Sequence, residues 1–547
     1  MKILFASTST TQTTGYGRIS YNVIVYLASL GHEIHHFAFQ RIQAYGIDNE
    51  RVLPKNVHVI DVHTLSKETF GTDIWVDTIN ATKPDVIIIY NDMPVTCGLI
   101  NQMLNLPKPC PLISYLDIVY TFQKTELIEH VVRHSDHIFV FSDFWKRHLM
   151  EHIGISCKNI SVFPHGVDTN KFKKVDKKVA KRLIGVGDDD FVIFNTNRNS
   201  YRKLLDITLK AFVRFWKLTN NDKKVKLVIN CRQDIDTGYN FQDIIKAACL
   251  IENVDYEEIS SKHILLLSRD RGGIVTDDFI NTALNASDIG MNTCGGEGFG
   301  LCNAEGAFLG VPQIVTKTGG LSDIFKDFDN MLVDPKVFMT LPSSIDFHNG
   351  DLAICDYKDF SDKLFFYYTN RDVLKKEGCE VEKHIKKQYD WDTLLEQFSY
   401  DLDSILKNNI NITSTCFYIN RDEDIDNRKK MENQRINGMN ILRIKGGYNE
   451  KESHSKAIKR AFEENFTFAI LCRDDVVFPS DFMTKILHII SKLPLSWQKL
   501  QLRFKSNETI TEGNIENPAC YILSKSGLFT IEKRRTDITQ CFISGLK

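Results

Sequence analysis

The chain has 547 residues, of which 25% are charged and 43% hydrophobic, and carries a formal net charge of −2 at pH 7. That length exceeds what one hydrophobic core serves and predicts three or four domains. The near-neutral balance excludes a whole-protein pull toward nucleic acid or an anionic membrane, and the 13 cysteines form no CxxC pair and no metal-ligand spacing, which predicts free thiols in a reducing compartment.

No apolar run reaches the ~18–20 residues that span a bilayer, so a soluble, cytoplasmic protein without a transmembrane segment is expected, peripheral membrane contact being left open. Met1-Lys2-Ile3-Leu4-Phe5-Ala6 is a short apolar run followed at once by Ser and Thr. It reads as a first strand rather than a signal peptide. Gly15-Tyr16-Gly17-Arg18-Ile19-Ser20 follows, where Gly15 and Gly17 let backbone approach a phosphate closely. Ser20 stands in place of the third glycine of a dinucleotide fingerprint, and His35 and His36 stand where a ribose-binding acid belongs, which argues against a nicotinamide site. A plain tight turn is the alternative. Helical spacing over Tyr21–Leu30 ends at Gly31. Strands are predicted through Phe39, at Val57–Val62, Asp85–Tyr90, Leu112–Leu116 and His137–Phe141. The unbroken apolar run Val86-Ile87-Ile88-Ile89 suits a parallel strand buried on both faces, and the whole set suits a doubly wound α/β domain.

A second α/β set follows Ser161–Asp168, with strands at Phe191–Asn195, Lys226–Asn230, His263–Leu267, Ile289–Asn292 and Gln313–Thr316 and a closing helix near Trp391–Leu406. Arg198 and Lys203 lie between its first strand and the next helix. Two fixed cations there suit a diphosphate, the Arg forking two oxygens and the Lys acting as a point charge; a solvated basic loop is the bland alternative. Residues 295–305 read Gly-Gly-Glu-Gly-Phe-Gly-Leu-Cys-Asn-Ala-Glu, a glycine-rich turn opening into a helix. Such a turn offers backbone N–H groups and a positive helix end to a phosphorylated ligand. Glu297 is in the turn and Glu305 a turn or more into the helix, so the two address different ends of one elongated ligand rather than form a dyad. Acids stabilising a helix N-terminus are the alternative. Thr318-Gly319-Gly320 follows the next strand and can close the same cleft.

These residues carry a family resemblance. Glu297–Glu305, Arg198 with Lys203, Pro164-His165-Gly166-Val167-Asp168, the Gly15/Gly17 loop and Tyr389-Asp390-Trp391-Asp392 occur in the order seen in glycosyltransferase family 4, and residues 1–408 resemble it. The resemblance implies a GT-B fold of two Rossmann-like domains, residues 1–168 on the acceptor side and 169–408 on the donor side. It implies transfer of a sugar from a nucleotide sugar with retention at the anomeric carbon and no metal cofactor. Glu297 would contact the donor sugar, Glu305 the nucleotide ribose, and Arg198 and Lys203 the diphosphate. Gly296, Gly298, Phe299, Gly300 and Leu301 would line the sugar and phosphates. Where many members have a His near the reacting centre, this chain has Ser114–Tyr120, and Asp117 is the candidate contact to acceptor or donor hydroxyls; a cap for the next helix is its alternative.

Residues 411–547 carry 22 Lys and Arg against 17 Asp and Glu, so this block is net positive and the remainder net negative. Cys416–Arg421, Asp426–Arg428, Glu452–Lys456, Leu471–Val477 and Pro518–Ser524 resemble glycosyltransferase family 25. That implies a GT-A-like domain in which Asp474 and Asp475 hold Mn²⁺ or Mg²⁺ through hard oxygen ligands; a solvated acidic turn is the alternative. Arg473 stands where that family usually has an acid, and a cation opposes metal binding. The expectation is a retaining hexosyltransferase fused to a shortened, degenerate domain that binds a partner or acceptor. A second active transferase, a nucleotide-sugar or glycan binding protein without turnover, and a nucleotide-sugar isomerase are the alternatives. The acceptor class (glycan, protein, lipid-linked sugar or small molecule) is open.

Overall fold

The computed structural model describes residues 1–42, 47, 51–231, 238–267, 276–346, 348–410, 414–434, 436, 439–446, 450–464, 466–478, 481–504, 510–511, 520–526 and 528. Seven strands, β1 (Lys2–Thr8), β2 (Glu33–Phe39), β3 (Val57–Asp61), β4 (Val86–Asp92), β5 (Leu112–Asp117), β6 (His137–Val140) and β7 (Ile160–Val162), form a first sheet in the order β3-β2-β1-β4-β5-β6-β7. Every pairing in it is parallel. Val86 to Ile89 are fully buried because helices cover both faces of such a sheet.

The second sheet repeats the plan with β8 (Phe191–Asn195), β9 (Val225–Ile229), β10 (Ile264–Leu266), β11 (Ile289–Asn292), β12 (Gln313–Thr316) and β13 (Leu332–Val333), ordered β10-β9-β8-β11-β12-β13. It too is parallel throughout. In both sheets the order reverses beside the first strand, and in open α/β sheets ligands bind beyond the strand carboxyl ends at that switch point. The loops after β1 and β4 and after β8 and β11 therefore flank the two switch points.

The helix predicted from Tyr21 begins earlier, at Gly15. Thr14 caps it by accepting from the Gly17 N–H, so the glycine loop forms the first helical turn, where no apolar periodicity signals a helix. The closing helix spans Trp391–Ile410 and packs back on the first domain. Phe398 stacks on Phe163 with ring centroids 4.3 Å apart, and the Val167 N–H donates to the Tyr389 carbonyl at 3.0 Å. Apolar residues of both domains thereby share one core.

A hairpin of β14 (Val337–Thr340) and β15 (Asp351–Ile354) follows the second sheet; its sequence gave no alternation strong enough to predict it. It bridges the domains, since the Asp351 N–H donates to the Thr121 carbonyl at 2.8 Å and the Ala353 N–H to the Gly295 carbonyl at 2.7 Å. The last block holds a mixed sheet of β16 (Ser414–Asn420), β17 (Asn440–Lys445), β18 (Phe468–Arg473), β19 (Lys499–Phe504), β20 (Ile510–Thr511) and β21 (Cys520–Ser524), ordered β17-β16-β18-β21-β19-β20. Its first three strands are parallel and the others antiparallel. Pro518 and Ala519 of the expected motif lie outside the described residues. Among the described residues no helix is long and apolar enough to cross a membrane.

Candidate active site

The glycine-rich turn leaves β11 at Asn292 and enters the helix Leu301–Phe308 through Gly300, whose φ of +108° is the left-handed conformation that glycine tolerates. Gly296 and Gly298 of the turn are sites of close approach between domains. A side chain at Gly298 would overlap Asp117 Oδ1, and one at Gly296 would overlap the Val119 carbonyl. The Trp145 indole N–H donates to the Gly298 carbonyl at 2.8 Å. Thr318-Gly319-Gly320 lies against the same turn, with the Gly320 N–H donating to the Glu297 carbonyl at 3.2 Å.

The two glutamates have separate surroundings. Glu297 is ion-paired with Lys203, and Arg202 approaches its other oxygen at 3.9 Å. Burial works against the Glu297 charge, but Lys203 and Arg202 together hold its carboxyl below the ordinary range. Arg202 also donates to the Gly296 carbonyl at 2.5 Å. Arg198 sits exposed on the same loop. Glu305, 2% exposed, instead meets Arg18 of the first domain at 2.8 Å. Burial pushes Glu305 up to about 7; Arg18 pulls it down, and Asp277 adds to the rise.

Asp117 ends β5 and does not cap the next helix, Thr125–His134, whose N-cap is Lys124. Its Oδ2 accepts from the Tyr16 hydroxyl at 2.6 Å, while its buried Oδ1 has no hydrogen-bond partner among the described residues. Burial raises the Asp117 carboxyl, partly offset by the Tyr16 bond. One glycine loop thus sends Tyr16 to Asp117 and Arg18 to Glu305, while Gly15 itself faces Leu301, whose Cδ2 is 3.9 Å from where a Cβ would stand. His165 packs between Phe141 and Phe299, with centroids 4.3 and 5.0 Å away. Burial, reinforced by Arg18, pushes it down to about 3, so it is neutral at pH 7.

Beneath the turn runs a buried chain of amides. Asn197 donates to Asn292 (2.7 Å), Asn292 to Asn303 (2.7 Å), Asn303 to Gln313 (2.9 Å) and Gln313 to the Val311 carbonyl (2.9 Å). Asn292 also accepts from the Cys294 N–H at 3.0 Å. A fully paired network in a low-dielectric interior is rigid, and it fixes where the turn leaves the sheet. Arg202 and Arg18 were visible as basic residues inside the two loops. Trp145 and the amide chain join residues too far apart in sequence to leave a signal.

Residues 13–171 match the family model described as Glycosyltransferase Family 4. The D-inositol 3-phosphate glycosyltransferase of Geodermatophilus obscurus is 22% identical over 205 residues, which are 36% of this chain; the match spans 42% of that relative's length. The crystal structure of Anabaena Alr3699/HepE in complex with UDP and glucose superposes with a TM-score of 0.54 at 15% identity, covering 74% of this chain and all of that one (100%). Sucrose-phosphate synthase from Thermosynechococcus elongatus superposes with a TM-score of 0.57 at 12% identity, over 75% and 100% of the two chains. The fold is GT-B.

The last block lies beyond the GT-B unit. At the end of β18, Asp474 accepts from the Asn420 amide at 2.6 Å, and both Asp475 oxygens face the Arg473 guanidinium. Among the described residues no group of three or more His, Cys, Asp and Glu could hold a metal ion. With one carboxylate forked by a guanidinium, the pair does not fit a divalent cation, which needs several free oxygen ligands.

Proposed function

We propose that the chain is a retaining hexosyltransferase that moves a sugar from a nucleotide-sugar donor to an acceptor hydroxyl through its GT-B unit. The observation that carries this reading is the separation of the two glutamates. Glu297 stands beside two cations at the β11 end, and Glu305 is buried in the following helix under a different cation. That arrangement suits a ligand with a sugar at one end, a ribose at the other and a diphosphate between. When the bond from the anomeric carbon to the diphosphate breaks, negative charge grows on the leaving oxygens. Lys203 and Arg202 supply fixed positive charge there, in a site where it acts more strongly than in water, Arg198 adds its charge from the exposed part of the same loop, and no metal is required. Asp117, with one oxygen oriented by Tyr16, is placed to hold a hydroxyl of the acceptor or donor sugar.

The test is a panel of UDP-, GDP- and ADP-sugars scored for acceptor-dependent release of nucleoside diphosphate. Glu297→Gln and Lys203→Ala should each lower kcat/KM at least ~100-fold, the size commonly seen when one charge-stabilising group is removed, and both should also lower Tm because they break a buried ion pair, so activity is compared at a temperature where each variant is folded. Full activity in both variants would sink the reading. NMR of the product should show the donor's anomeric configuration, and donor binding without any turnover would indicate a binding protein instead.

We read the terminal block as a non-catalytic, GT-A-like domain, because Arg473 neutralises Asp475 where a metal would stand. Mn²⁺ titration should give no saturable site. Saturable binding abolished by Asp474→Ala or Asp475→Ala would restore the two-enzyme alternative.

A further inference from the structure

The GT-B glycine loop is braced from several sides. A side chain at Gly17 would overlap the Gln12 carbonyl, so the chain folds tightly back on itself there. Arg51, 7% exposed, donates to the Thr10 and Gln12 carbonyls, each at 2.8 Å, and so pins this turn. From it Arg18 crosses to the second domain, reaching Glu305 at 2.8 Å and Asp277 at 3.8 Å. Asp277 has a closer cation in Lys171 at 2.9 Å. Among the described residues, the ion pair of Glu305 is with Arg18. A carboxylate has about four acceptor positions, and the Arg18 guanidinium approaches this one at Oε1.

We propose that Arg18 is a positioning residue for donor binding: reaching across the cleft, it holds Glu305 in the orientation that receives the ribose hydroxyls, so that domain closure and ribose recognition strengthen each other. This rests on the glycosyltransferase reading, in which Glu305 faces the ribose. The coupling is reciprocal, as linkage requires: whatever favours the Arg18–Glu305 pair favours the ribose, and the bound ribose favours closure.

The probes are uridine diphosphate and its 2′,3′-dideoxy analogue, titrated by calorimetry into the wild-type chain and into Arg18→Gln. Wild type should prefer the ribose form at least tenfold. Arg18→Gln should weaken UDP about tenfold and leave the dideoxy analogue within twofold, and Arg18→Lys should recover part of the preference. In a double-mutant cycle with Glu305→Gln, the second substitution should add little to the first. Equal weakening of both nucleotides by Arg18→Gln would mean that Arg18 only shapes the cleft, and unchanged UDP binding would mean that it has no part in donor recognition; either overturns the inference alone. Failure of wild type to bind UDP would overturn it together with the assignment of Glu305 to a uridine ribose.

Discussion

Gly298 and Gly319 are positions where one methyl group has nowhere to go. At Gly298 it would overlap Asp117, and at Gly319, where φ is +52°, it would overlap the Glu297 carbonyl. Gly319→Ala should cost about 1–3 kcal/mol through backbone strain alone, and either variant should displace the turn that carries Glu297. By contrast Gly98, inside the helix Met93–Met103, has only Thr72 Cγ2 at 3.7 Å from a would-be Cβ. Gly98→Ala should stabilise by about 0.4–1 kcal/mol by restricting the unfolded chain. Thermal melts of the three variants, with donor binding measured alongside, check both signs. The same scale shows what spacing can and cannot tell. Lys203 meets Glu297, but the guanidinium that joins them is that of Arg202 rather than Arg198. Neighbouring basic residues in a loop are equivalent in sequence, and only the turn Tyr201–Lys203 decides which of them faces inward.

At the scale of elements, two supports hold the site without touching a ligand. The closing helix buries Phe398 (1% exposed) against Phe163. Phe398→Ala should cost about 3–5 kcal/mol by opening a cavity at the domain junction, seen as a lower Tm and an earlier loss of donor binding on heating. The amide chain is the second support. Asn292→Leu keeps the branched shape but strands the Asn197 amide, the Asn303 carbonyl and the Cys294 N–H, each worth about 1–3 kcal/mol when buried unpaired. A melt of this variant should fall well below that of an exposed-site control. The strands and helices of both GT-B domains were largely legible, because continuous apolar runs and capped, periodic segments report local burial. The short strands β7 and β13 and the hairpin β14–β15 were not, being three, two and four residues per strand and stabilised by what they pair with.

For the whole molecule, protonation sets the acid limit. Burial pushes His36, His137 and His165 down to about 3 and His134 and His148 to about 4, from 6.5 in a free chain. The unfolded chain therefore binds more protons between those values, and the stability these histidines contribute above pH 6.5 is lost as pH falls toward 4. Glu305 acts oppositely: raised to about 7 from 4.5, it favours the fold at low pH and loses that contribution as pH rises through 7. Five histidines outweigh it, so Tm measured by scanning fluorimetry should fall steadily from pH 7 to pH 5. The terminal block docks far from the cleft. The Leu495 N–H donates to the Leu106 carbonyl at 2.7 Å, and Lys525 donates to the Ser135 carbonyl at 2.9 Å. Leu106 precedes β5 and Ser135 precedes β6, so the contact lies at the amino ends of the first sheet, opposite the active end. Leu495→Asp should loosen this dock, detected as faster proteolysis near residue 410, and leave nucleotide affinity unchanged.

The sequence by itself determined the α/β class and the loops at the strand ends, because burial periodicity, caps and glycine-rich turns are local properties that residues write directly into the chain; the GT-B plan was implied by the resemblance to glycosyltransferase family 4. Tertiary structure alone decided the partners Arg18 for Glu305, Tyr16 for Asp117 and Trp145 for Gly298, residues that only chain folding brings together. The ion pairs also depend on burial, since the same two charges attract weakly in water and strongly in a closed cleft.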